Sequence, residues 1–202
     1  MWRAYYEHLK VVAGEKPEDK RTPLQKGLDA FQAERRAEAV PFLRQALADD
    51  LTCLAAYMAL GTIFRESAQA LEAYKIYAQA VAIAPHDLDV RYYLGESQHM
   101  LGCHAEAEAT LRAVLKCTPS RAEAHRRLGM VLMDTGRRAE ALAAFDRAVY
   151  FDRHDATARF FIAQLSAEGK NYQRAVAQLE LAGKSTRPAD ARLTLFAARQ
   201  PR

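Results

Sequence analysis

The sequence predicts an all-α solenoid of five helix-turn-helix repeats with a C-terminal capping helix. Three observations predict it. First, Leu60–Gly61, Leu94–Gly95 and Leu128–Gly129 recur at a spacing of 34 residues, and the same step lands on Lys26–Gly27 before them and Ile162–Ala163 after them. Second, other positions keep that phase. Twelve residues after each small residue comes an alanine (Ala39, Ala73, Ala107, Ala141, Ala175), and four further a large apolar residue (Leu43, Tyr77, Leu111, Phe145, Leu179). Three beyond that stands a small one (Ala46, Ala80, Val114, Ala148, Ala182). Third, about 40 of the 202 residues are alanine, the strongest intrinsic helix former. A fixed period of this length marks stacked hairpins, none of which can bury its apolar face alone.

The elements follow in order. Residues 1–19 read as an N-terminal amphipathic helix and a linker: Trp2, Tyr5, Tyr6, Leu9, Val12 and Ala13 share one helical face, Gly14 ends the helix, and "EKPEDKRTP" is polar. The stripe of Trp2, Tyr5, Tyr6 and Leu9 needs cover. It either caps the first repeat or docks into another copy, a head-to-tail contact that builds chains or rings of a homo-oligomer. A membrane-surface role is disfavoured by the marginal length of this helix. The repeats span 20–53, 54–87, 88–121, 122–155 and 156–184. In each, two amphipathic runs flank a short turn such as "MLGCHAE" or "DTGRRAE", which places Cys103 and His104 in a turn. Pro85 and Pro119 end the second helices of their units. In 185–202 a helix from about Ala189 to Arg199 sets Leu193, Phe196 and Ala197 in phase to cap the last apolar face.

Composition narrows the function class. Arginine outnumbers lysine more than two to one, and this Ala and Arg bias is what a GC-rich bacterial genome writes. The net charge of +4 is mildly basic, but the arginines are scattered, as pairs at Arg35–Arg36, Arg126–Arg127 and Arg137–Arg138 and as singles elsewhere. They read as solvated surface rather than the single basic face of a nucleic-acid binder. Three cysteines without CxxC spacing argue for a reducing compartment. No apolar run approaches a membrane span, and Arg3, Glu7, His8 and Lys10 interrupt what a signal peptide needs. A cytoplasmic location is the expectation.

Taken together, the phased residues closely resemble the tetratricopeptide repeat family over about residues 20–184. Departures sit where that family has Trp, here Pro23, Tyr57, Arg91, His125 and Arg159, and at Lys26, Leu51 and Lys170. The resemblance implies a right-handed superhelix whose first helices line a concave groove for a peptide or helix of a protein partner. Carried over by position, the groove residues are Met58, Thr62 and Arg65; Asp89, Tyr92, Glu96, His99 and Met100; Glu123, Arg126, Arg127, Met130 and Met133; and Phe160, Phe161 and Gln164. Part of this set, Phe161 above all, and the adjoining Tyr93 also suit packing against the neighbouring unit. The lysine and asparagine pattern with which some members grip a C-terminal carboxylate is absent; of the matching positions only Arg127 fits. Self-assembling bacterial scaffolds of the family, with a short helix before about five repeats, look similar in outline. Two functions follow as expectations: a non-catalytic adaptor or scaffold, or a holding chaperone for an apolar segment of a secreted or membrane-associated client.

Motifs for chemistry are missing. There is no phosphate loop, zinc-protease motif or nucleophile elbow. Neither a cofactor nor a metal is expected: His99, Cys103 and His104 cluster in sequence, but only His125 and Cys117 offer themselves as additions, short of a convincing ligand set. Nucleic acid is not expected as a partner either. Repeat proteins that read RNA keep polar readers at fixed positions, whereas Met58, Tyr92 and Arg126 share one position here.

Overall fold

The computed structural model describes residues 20–184. The predicted N-terminal helix with Trp2, Tyr5, Tyr6 and Leu9, and the predicted capping helix in 185–202, lie outside the described residues. Among these there are ten α-helices and no strand: α1 Pro23–Gln32, α2 Arg36–Asp49, α3 Leu54–Glu66, α4 Ala70–Ile83, α5 Leu88–Met100, α6 His104–Cys117, α7 Ala122–Asp134, α8 Arg138–Phe151, α9 Ala156–Glu168 and α10 Tyr172–Gly183. They alternate as first and second helices of hairpins with the predicted period. His104 is the first residue of α6 and not part of the turn, because only Leu101 to Cys103 separate α5 from it.

The turns repeat as faithfully as the helices. Residues 34, 68, 102, 136 and 170, one per period, all have positive φ. Gly102 and Gly136 adopt this conformation freely, whereas Glu34, Ala68 and Lys170 adopt it at φ of 58°, 57° and 60°, a cost of roughly 1–2 kcal/mol for an L-residue. Lys170 therefore holds the bend itself, while Gly169 beside it caps α9 with ordinary negative φ.

The chain divides into two compact units, one up to Leu60 and one from Gly61. In the first, Thr22 caps α1 by accepting from the Gln25 amide while the Gln25 side chain accepts from the Thr22 amide. Pro23 follows at the first helical position, where its missing N–H costs nothing. Helix α1 packs on α2, with Ala30, Ala39, Leu43 and Ala46 buried.

In the second unit α5 pairs with α6, α7 with α8 and α9 with α10, and each second helix packs on the first helix of the next hairpin. One core runs through these hairpins, including Leu111, Val114, Leu128, Val131, Phe145 and Ile162. The in-phase glycines make the close approaches: a Cβ on Gly129 would lie 2.7 Å from the Phe145 ring, and one on Gly61 would lie 2.5 Å from that of Tyr77. At the large-residue position, Tyr77, Leu111 and Phe145 are fully buried. Leu179 is exposed on α10, together with Tyr172, Val176 and Leu181.

Candidate protein-interaction face

The residues that the repeat pattern assigns to a groove fall on the first helices of the hairpins, at matching positions one period apart. Met58 is half-buried and belongs to the unit that ends at Leu60. The others lie in the second unit, on α5, α7, α9 and the last turn and a half of α3.

Charge on this face is organised by ion pairs between helices. Glu96 on α5, only 4% exposed, accepts from Arg127 on α7 at Oε1 and has Arg65 at 3.7 Å from the same oxygen. Burial works against the Arg65 charge, yet Glu96 and Tyr77 hold its pKa above the ordinary arginine value. Arg65 also lies over the Tyr93 ring at 5.4 Å, and Tyr93 stacks on Tyr77 and meets Tyr92 edge-on. Thr62 is half-buried, with its hydroxyl 3.3 Å from that of Tyr77.

Tyr92 is buried beneath Arg121, whose guanidinium sits 4.4 Å from its ring centre. Burial, and after it the Glu96 charge, pushes the Tyr92 hydroxyl pKa upward. Arg121 in turn pairs with exposed Asp89 at 2.7 Å. Arg126 donates to both carboxylate oxygens of Asp155 at 3.2 Å. Asp155 is 2% exposed and also caps α9 by accepting from the Ala158 amide. Burial opposes the Arg126 charge, but Asp155, together with Tyr92 and Glu123, raises its pKa.

The apolar members lie alongside. Met130, Met133 and Phe161 are half-buried and pack on the core, with Phe161 stacked on Phe145 at 5.0 Å. Phe160 is half-buried and meets Phe161 edge-on at 5.6 Å. Met100, Glu123 and Gln164 are exposed. His99 near the end of α5 bonds through Nε2 to Asp134 Oδ2, the last residue of α7, at 2.7 Å.

Several of these contacts differ from the sequence reading. The paired arginines are not simply solvated surface: Arg126, Arg127, Arg137 and Arg138 reach Asp155, Glu96, Glu108 and Glu168 across 29 to 31 residues of sequence. Two of those acids, Glu96 and Asp155, are buried, and such pairs need the stacked hairpins to exist at all. His125 and Cys117 do not join His99; His125 donates to the Pro119 carbonyl at 2.8 Å and stacks on Phe151. Asp134 comes to His99 instead. Asp155 does carry a local signal, since an Asp directly before a helical run marks an N-cap; Asp134 carries none. Another departure, Arg159 at the family's Trp position, is buried and satisfied by the Arg153 carbonyl and Gln178.

A surface depression of about 570 Å³ is lined by Arg138, Ala139, Leu142, Leu165, Glu168 and Gly169. None of these belongs to the expected groove, and they bring together no nucleophile and base.

Comparison with known proteins agrees with this architecture. Two tetratricopeptide-repeat family descriptions match, one at residues 64–131 and one at 122–155. The chain is a tetratricopeptide-repeat protein. Curated protein sequences give no significant match. Among solved structures, MamA is similar at 17% identity over 79% of this chain and 93% of that one, with a TM-score of 0.69. YrrB, a TPR protein with an unusual peptide-binding site, is similar at 22% identity over 95% of this chain and 97% of that one, with a TM-score of 0.65. Pseudomonas aeruginosa pilF is similar at 22% over 88% and 84%, TM-score 0.72. At these identities the likeness is one of fold. The tetratricopeptide fold supports a protein-interaction role. Among the described residues no helix is long and apolar enough to cross a membrane.

Proposed function

We propose that the chain is a non-catalytic adaptor or scaffold that binds a peptide or helix of a partner protein along the first-helix face of α5, α7 and α9. One observation carries the reading: Met130, Met133, Phe160 and Phe161 stand half-buried beside Arg126 and Arg127, whose guanidiniums are already held by Asp155 and Glu96. Aromatic rings and arginines are the side chains in which interface energy concentrates, and methionine adapts to irregular apolar surfaces. Arginines fixed in advance lose little entropy when a partner arrives, so more of the contact energy appears as affinity. The ionisable groups here neutralise one another and none sits poised beside a nucleophile, as catalysis would require. The fold likeness to YrrB, a TPR protein with an unusual peptide-binding site, supports the same reading. A second copy of this chain is one such partner.

The test is a set of peptides selected from a random library against the full-length protein. Phe160→Ala is expected to weaken the selected peptides at least about tenfold with the melting temperature little changed. Tyr150→Ala, on the exposed side of α8, is expected to leave affinity as it was. Equal affinities for all three proteins, or a loss confined to Tyr150→Ala, would overturn the proposal.

A further inference from the structure

We infer that His99, His104 and Asp134 form a binding site for a divalent transition-metal ion of the zinc, cobalt or nickel class. One ring nitrogen from each histidine and a carboxylate oxygen of Asp134 all lie within 4.8 Å of one another. The two rings stand 5.9 Å apart between centroids, and His99 Nε2 is already 2.7 Å from Asp134 Oδ2. Donors at about 2.0–2.2 Å from zinc sit roughly 3.3–3.6 Å apart in a tetrahedron. Gathering the three donors around one ion therefore takes side-chain movements of about an ångström, the widest pair closing while His99 and Asp134 open from 2.7 Å.

A second observation points to a ligand. The His99 side chain is only 9% exposed with its Nε2 turned to Asp134, and the Nδ1 atom of His104 is buried without a hydrogen-bond partner. Buried polar atoms are normally satisfied, and an orphaned ring nitrogen is a lone pair or proton in search of a partner. Two imidazoles and one carboxylate are a donor set that suits borderline first-row ions and not calcium or magnesium, which favour all-oxygen shells. His99 and Asp134 lie at the C-terminal ends of α5 and α7, where the helix dipoles favour a cation; His104 at the start of α6 feels the opposite field.

The ion would tie the α5–α6 hairpin to α7. Three protein ligands leave at least one coordination position for water or for a donor from a bound partner. The site is formed by stacking: its third ligand arrives from the next repeat, 35 residues after His99.

The experiment uses untagged full-length protein, stripped with a chelator and then titrated with Zn²⁺ by calorimetry and with Co²⁺ by visible absorption. One ion per chain is expected, with a rise in melting temperature on Zn²⁺ addition. His104→Ala and Asp134→Asn are each expected to weaken binding at least about tenfold and to abolish the rise, while melting like the parent without metal. Cys103→Ser should retain binding, since the neighbouring exposed thiol is no part of the set. Failure of the parent to bind either ion overturns the inference. So does binding that persists in both His104→Ala and Asp134→Asn, or that disappears with Cys103→Ser while His104→Ala keeps it.

Discussion

Gly129 and Gly95 occupy the same place in successive repeats but face different neighbours. A Cβ on Gly129 would meet Phe145 at 2.7 Å, and that ring is fully buried and stacked on Phe161. A Cβ on Gly95 would meet the branched end of Leu111 at 3.1 Å and the Thr110 methyl at 3.3 Å. Alanine gains about 1 kcal/mol of helix propensity over glycine, against an overpacking cost of about 1–3 kcal/mol where the neighbour cannot give. Gly129→Ala is therefore expected to lose up to about 2 kcal/mol by urea denaturation, and Gly95→Ala to stay near the parent. These glycines were legible in the sequence because each residue's role repeats at a fixed step. The turn residues were only half legible: Gly102 and Gly136 announce a left-handed bend, but Glu34 and Ala68 adopt the same φ without a glycine to signal it.

Between elements, ion pairs accompany the apolar core in setting how one hairpin sits on the next. Glu96 on α5 answers Arg127 on α7, and Asp155 before α9 answers Arg126. Removing one member of a buried set leaves its partners charged without compensation, at a cost of about 3 kcal/mol. Glu96→Gln is expected to lower stability by that order in urea, since Arg127 and Arg65 lose their buried carboxylate. Glu140→Gln should leave the denaturation midpoint in place, because its pairs with Arg137 and Arg112 lie on the exposed surface. Helix positions were readable from apolar periodicity, which is local. The pairs were not: Glu96, Asp155 and Asp134 meet partners about 30 residues away, and only the stacking register brings them together. The starting point of α6 was missed for a smaller reason, a turn too short to hold His104.

At the scale of the whole chain, one 34-residue period governs helices, turns and glycines alike, while the first-helix positions vary from unit to unit. Tyr92, Arg126 and Phe160 share a position yet do three different things: one lies buried under Arg121, one clamps a helix cap and one stays half-open. Such variation on a regular frame suits recognition of one irregular partner surface better than a repeated ligand. The candidate face was legible as a set of positions through family resemblance; which of its members are committed to packing was not, because burial depends on the neighbouring hairpin. Backbone hydrogen exchange of the full-length protein, with and without a selected peptide, tests the central claim most directly. The account predicts added protection along α5, α7 and α9 with α6 and α8 unchanged. Protection confined to α6 and α8, or to the exposed apolar side of α10, would contradict it.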